Sequence, residues 1–126
     1  MVKREVVRGP GLPKPLGPYS PVVRAGDLLF VSAQTGVDPV TGEVPEGGVG
    51  AEARQAVHNL ERALTVAGSS LSNVLRITLF YTDLNDLPEI NAAFTELFPV
   101  DPPARSAAIV GLAGGRSISL DAIATV

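Results

Sequence analysis

The sequence predicts an α+β fold: a mixed β-sheet with two helices on one face, in the order β-β-β-α-β-α-β-β. Two segments carry apolar residues at helical spacing, while the others are β-rich runs bounded by glycine and proline. Each helical segment also lies between strand-like runs, which allows two right-handed parallel crossovers with both helices on the same sheet face. The 126 residues, 45% of them hydrophobic, suffice for one core and are expected to form a single domain over 1–126.

Lys3 to Arg8 reads as a short edge strand. Residues 9–21 hold Pro10, Pro13, Pro15, Pro18 and Pro21 with three glycines, so they form neither a helix nor a central strand. Val22 to Arg24 and Leu28 to Gln34 read as a hairpin around Gly26, which supplies the positive φ of the reversal. Asp38-Pro39-Val40-Thr41-Gly42 carries turn chemistry, and a loop is expected to follow as far as Gly50.

From Ala51 the period changes. Ala53, Ala56, Val57, Leu60, Ala63, Leu64 and Ala67 form one helical stripe, and Gly68 stands where a left-handed residue ends a helix. Val74 to Thr82 is strand-like. Asp86, Pro88 and Glu89 supply an expected N-cap, early proline and capping-box acid for a second helix carrying Ile90, Phe94 and Leu97. Ala104 to Leu112 and Ser117 to Thr125 read as strands around Ala113-Gly114-Gly115-Arg116, whose paired glycines suit a hairpin.

Composition narrows the chemistry. There is no cysteine, which excludes disulfides, zinc ribbons and thiol nucleophiles, and one histidine precludes a multi-histidine metal site. No metal or other cofactor is expected. Ten basic against thirteen acidic residues give a net charge of −3 and no broad cationic field, so nucleic acid is an unlikely partner by charge. No apolar run approaches the roughly 20 residues of a membrane span, nor does the N-terminus resemble a signal peptide, so a soluble, cytoplasmic protein without membrane contact is expected.

Several strands look apolar on both faces: Leu28 to Val31 with Ala33, and Ala107 to Val110. Two helices cover only one face of a sheet, so a neighbouring subunit is the economical cover for the other.

Three features invite functional readings. Gly48-Val49-Gly50-Ala51-Glu52-Ala53 matches a dinucleotide-binding pattern, but no buried strand precedes it and no acid follows at the right distance, so a loop is expected. His58 shares its helical side with Arg54, Glu61, Arg62 and Thr65, which fits solvent exposure better than catalysis. Arg105 opens an apolar strand with no acidic residue within two positions. Its planar donors suit a carboxylate ligand, and the competing assignment is a salt bridge to a distant acid.

Taken together, Gly17-Pro18-Tyr19-Ser20, Leu29-Phe30-Val31-Ser32-Ala33-Gln34, Asp38-Pro39-Val40-Thr41-Gly42, Ala53-Arg54-Gln55-Ala56, Asp83-Leu84-Asn85-Asp86, Asn91, Pro103-Ala104-Arg105-Ser106 and Asp121-Ala122-Ile123-Ala124 make a recognisable series. The chain resembles the RidA family, also called YjgF or the L-PSP endoribonuclease family, from about Gly17 to Ala124. The resemblance implies a chorismate-mutase-like fold and a homotrimer with ligand clefts between subunits. It also implies that the chain hydrolyses 2-imino acids to 2-keto acids and ammonia. On that basis Arg105 holds the substrate carboxylate, and Tyr19, Ser32, Ala33, Asn91 and Ala107 line the cleft.

Departures from the family pattern accompany it. Ala107 stands where cysteine is frequent, Ala33 where glycine follows the strand serine, and the segment between Asn91 and Arg105 is short. In the final strand, the glutamate of deaminating members, thought to position water, is Ser119. A carboxylate-binding or regulatory trimer without catalysis is therefore the alternative expectation. The family's endoribonuclease or translation-inhibitor role ranks third, since six aromatics and no basic tract offer little grip on RNA.

Overall fold

A computed structural model describes residues 2–126. Its strands are β1 (Arg4–Val6), β2 (Val22–Ala25), β3 (Leu28–Thr35), β4 (Val74–Tyr81), β5 (Ala104–Ile109) and β6 (Ile118–Thr125). The helices are α1 (Gly48–Val66) and α2 (Leu87–Leu97), and short 3-10 turns span Leu71–Asn73 and Leu84–Asp86. The strands form one sheet in the order β1-β2-β3-β6-β4-β5.

Pairing is antiparallel except between β4 and β5. Because β3 and β4 both run antiparallel to β6, they run parallel to each other, so each strand-helix-strand passage links parallel strands as expected. The expected β5–β6 hairpin does not form. β4 lies between these two strands, and residues 110–117 cross its end rather than turning tightly. Gly114 and Gly115 keep their positive φ, 69° and 71°, but they turn a crossing loop. Pair chemistry at a turn reports the reversal of the chain, not which strand becomes the neighbour.

Strand alternation divides the sheet cleanly. Leu29, Val31, Ile77, Leu79, Tyr81, Leu120, Ala122 and Ala124 face the helices and are buried with Ala53, Val57, Leu60 and Leu64 of α1 and Ile90 and Ala93 of α2. Each such leucine or isoleucine contributes about 1.5–3 kcal/mol by leaving water. On the other face, Phe30 pairs with Ile123 and Leu28 with Thr125, and Phe30 and Leu28 stay 42% and 38% exposed. That face carries no further layer of this chain.

The helix ends differ from expectation in instructive ways. α1 begins at Gly48, so Gly48-Val49-Gly50 are its first turn and not a loop. The N–H of Gly50 is 3.2 Å from Glu89 Oε2, so a carboxylate of α2 already occupies the place a phosphate would take. Glu89 therefore does not complete a capping box for its own helix. Asp86 has helical φ and ψ and makes no side-chain cap; Asp83 accepts from the Asn85 N–H one turn earlier and starts a 3-10 turn that runs into α2. At the other end of α1, Gly68 takes φ 82° as expected, and the Ser69 and Gly68 N–H groups bond to the carbonyls of Leu64 and Thr65.

Candidate functional site

The residues singled out in the sequence fall into two groups, one at the interior strand β3 and one at the β5 edge of the sheet. The first gathers where β3 leaves the sheet. Register between β3 and β6 shifts between Val31 and Gln34, so Ser32 and Ala33 form a bulge outside the ladder. The Ser32 hydroxyl donates to the Ser20 carbonyl at 2.7 Å, and its N–H bonds to the Pro21 carbonyl at 2.9 Å. These bonds fasten the proline-rich segment over the bulge and bring Tyr19 beside it.

Tyr19, Ser32 and Ala33 line a groove of about 810 Å³. Gln34, Thr35 and Asn59 also line it, together with Leu112, Ala113 and Arg116 of the crossing loop. Asn59 is fixed by donating to the Thr35 and Val37 carbonyls at 2.9 and 2.8 Å. Ser119 stands next to this group on the open face, opposite Thr35 on one side and Phe80 on the other, and is 5% exposed. Asp121 follows two residues on along the same face, opposite Thr78.

The second group lies on the far edge. Every residue of β5 is exposed, including Arg105 and Ala107, which share the helix-side face with Ile77 and Leu79 in register. The Arg105 guanidinium carbon lies 5.1 Å from the centre of the Phe94 ring, a cation–π contact. Asn91 is exposed on α2, one helical turn before Phe94. Among the described residues Arg54 pairs with Glu96 and His58 Nδ1 lies 3.7 Å from Glu61 Oε1, so Arg105 does not take the salt bridge that competed as its role. His58 is on the surface, as expected.

Between β3 and β5 lie β6 and β4, three lateral steps or about 14 Å at the ordinary strand spacing. One chain therefore does not bring Arg105, Ala107 and Asn91 onto the same small ligand as Tyr19, Ser32 and Ala33. Among the described residues there is no cluster of three or more metal-ligating side chains and no helix long and apolar enough to cross a membrane.

One buried acid escaped the sequence analysis. Glu52, on the inner side of α1, accepts from the Ser117 and Ile118 N–H groups at 2.6 and 3.0 Å, tying the crossing loop to the helix. Its position beside Ala53 and Ala56 on the apolar stripe was the available signal, since an acid there requires donors.

Comparison with known proteins agrees with this architecture. The sequence profile of the family described as Endoribonuclease L-PSP matches residues 11–126. The chain is 38% identical to a RutC family protein of Pyrococcus horikoshii over 122 residues, 96% of this chain and 97% of that one. It is 34% identical to the human 2-iminobutanoate/2-iminopropanoate deaminase, again over 96% of this chain and 89% of the relative. Among solved structures, Escherichia coli TdcF with bound serine superposes with a TM-score of 0.88 at 32% identity, covering 96% and 98% of the two chains. RidA from the Antarctic bacterium Psychrobacter sp. gives 0.88 at 31% identity, covering 97% and 99%. With the α+β sheet and nearly the full length matched, the chain belongs to the L-PSP endoribonuclease family, the family of YjgF and RidA.

Proposed function

We propose that the protein is an imine deaminase that hydrolyses 2-imino acids to 2-keto acids and ammonia in a cleft between subunits of a homotrimer. The observation that carries this reading is Arg105: a guanidinium without a carboxylate partner, held over Phe94 on an exposed edge strand. A planar fork of donors in that setting suits a substrate carboxylate. Relatives named as 2-iminobutanoate/2-iminopropanoate deaminases at 34–35% identity support the reaction class.

The subunit arrangement follows from the separation of the two groups. If Arg105, Ala107 and Asn91 of one subunit face Tyr19, Ser32 and Ala33 of the next, one small ligand reaches both. The uncovered sheet face around Leu28, Phe30 and Ile123 supplies the apolar surface for such an assembly.

The chemistry asks little of the protein. In R–C(=NH2+)–COO−, C2 is electrophilic without further activation, and water adds to it to give a carbinolamine. One proton leaves the added water and one reaches the nitrogen; as the C–N bond breaks, the carbinolamine O–H gives up its proton, and ammonia and the 2-keto acid are released with one proton net. Arg105 holds the carboxylate, the backbone of Ala33 in the bulge meets it, and Ser119 orients the water. Positioning of this kind accelerates hydrolysis without a covalent intermediate.

The test is an assay that generates 2-iminobutanoate in situ from an amino acid and follows its disappearance with and without the protein. Acceleration lost in Arg105→Ala is expected; no acceleration at any protein concentration would refute catalysis. The second reading, a carboxylate-binding trimer without turnover, is favoured by the hydroxyl of Ser119 standing where deaminating relatives are expected to carry an acid. It predicts binding of 2-oxobutyrate without hydrolysis. An endoribonuclease role remains third for a chain of net charge −3.

A further inference from the structure

Arg116 is the group in the groove that the proposed reaction leaves unused. It lies in the crossing loop, and its guanidinium folds back onto the glycine turn, where Nη1 donates to the Ala113 carbonyl at 3.2 Å. Nε is buried without a hydrogen-bond partner. The place is shaped for it: a Cβ on Gly114 would come within 2.6 Å of Nη1, so only glycine leaves room for this conformation. Glu52 fixes the following backbone through the N–H groups of Ser117 and Ile118.

The electrostatic setting is equally specific. Lys14, Arg62 and Arg116 all line the groove, and none of them belongs to an ion pair among the described residues. Asp38 is the one acid of the lining, and its Oδ1 already accepts from the Val40 and Thr41 N–H groups. Three cations against one already engaged acid make the lining net positive in a chain whose net charge is −3. At about 810 Å³, that cavity is large for a four-carbon acid.

We propose that Arg116 forms a second anion subsite, which takes the side-chain carboxylate of a dicarboxylic 2-imino acid while Arg105 takes the 1-carboxylate. This rests on the imine deaminase reading and names its substrate class. A ligand carboxylate adds an acceptor for the guanidinium beside the Ala113 carbonyl, and the fold of the side chain onto the Gly114 turn keeps the charge at the groove.

Calorimetric titration of the assembled protein with 2-oxoglutarate and 2-oxobutyrate tests the subsite. Wild type is expected to bind 2-oxoglutarate about tenfold more tightly, the worth of one charge-assisted pair. Arg116→Gln should bring the ratio of the two affinities close to one. Gly114→Ala, which keeps every charge but displaces the guanidinium, should reduce the ratio by at least half; its melting curve reports whether the fold survives. Wild type binding both acids equally, or Arg116→Gln keeping the tenfold ratio, would overturn the subsite alone. Failure of both acids to bind would overturn the subsite and the carboxylate site at Arg105 together.

Discussion

Arg105 and Phe94 join the edge strand to the second helix: the guanidinium carbon sits 5.1 Å from the ring centre. Phe94 is 8% exposed and also meets Phe98, with ring centroids 5.7 Å apart, so its position is fixed by the core while one face is left for the cation. Phe94→Leu should remove the cation–π contact, worth about 0.5–1 kcal/mol, and weaken 2-oxobutyrate binding roughly two- to fivefold with a small loss of stability. Arg105→Lys keeps the charge and loses the planar fork, so about a tenfold loss is expected. Calorimetry on both variants decides the point: equal affinity in wild type and Arg105→Lys would make the arginine structural.

Much of this arrangement was legible in the sequence. The stripe from Ala53 to Ala67 with Gly68 behind it gave α1 because helical period and a left-handed stop are local properties. The two groups of candidate residues stand out as motifs, yet their separation is not visible there, since it depends on β6 inserting between β3 and β4. That insertion is a long-range choice, and the Gly114-Gly115 turn carries no information about it. The capping of α2 was misplaced for a related reason: Asp83 and Asp86 are both suitable acids, and Glu89 was drawn away by the N–H of Gly50 on another helix.

Glu52 offers a test of stability. Its carboxylate satisfies two backbone donors at the entry to β6, two residues before Ser119. Glu52→Gln retains an acceptor oxygen without the charge and should cost about 1–2 kcal/mol. Glu52→Ala strands both donors and should cost about 2–5 kcal/mol. Urea unfolding midpoints measure both, and an alanine variant within 1 kcal/mol of wild type, judged against about 1–3 kcal/mol for each unsatisfied donor, would mean that water replaces the carboxylate.

The start of α2 predicts a pH effect. Burial, then the neighbouring charges of Asp83 and Glu89, raise the Asp86 carboxyl above its ordinary value of 3.8. A raised folded-state value means that the folded protein holds this proton more tightly than the unfolded chain. The resulting stabilisation is fully present below the ordinary value and is lost as pH rises through the raised one. NMR titration should therefore find Asp86 above 3.8, and Asp83→Asn, which keeps the cap acceptor, should lower it part of the way. An unchanged midpoint in that variant would leave the shift to burial and Glu89.

The open sheet face predicts assembly. Leu28 and Phe30 stand beside Thr125 and Ile123 with no layer above them, and apolar surface of this kind ordinarily marks an interface. Light scattering should give about three times 13.0 kDa. Phe30→Lys should dissociate the assembly and remove carboxylate binding with it, because the two residue groups then no longer meet. A native mass of one chain that still binds 2-oxobutyrate would refute the intersubunit cleft.

Ser119 separates an enzyme from a binding protein. Water attacking C2 must lose a proton, and a carboxylate accepts it near neutral pH where a serine hydroxyl without a base does not. General-base assistance is worth about 10²–10⁴ in rate, so wild type should hydrolyse 2-iminobutanoate measurably but slowly. Ser119→Glu should raise that rate while leaving 2-oxobutyrate affinity to Arg105. The substitution places an acid at a site only 5% exposed in one chain, between Thr35 and Phe80, so a melting curve must accompany the kinetics. A folded Ser119→Glu that is slower than a fast wild type would transfer the proton to another acceptor. Asp121, two residues along the same face, is then the group to replace, and loss of activity in Asp121→Asn would identify it.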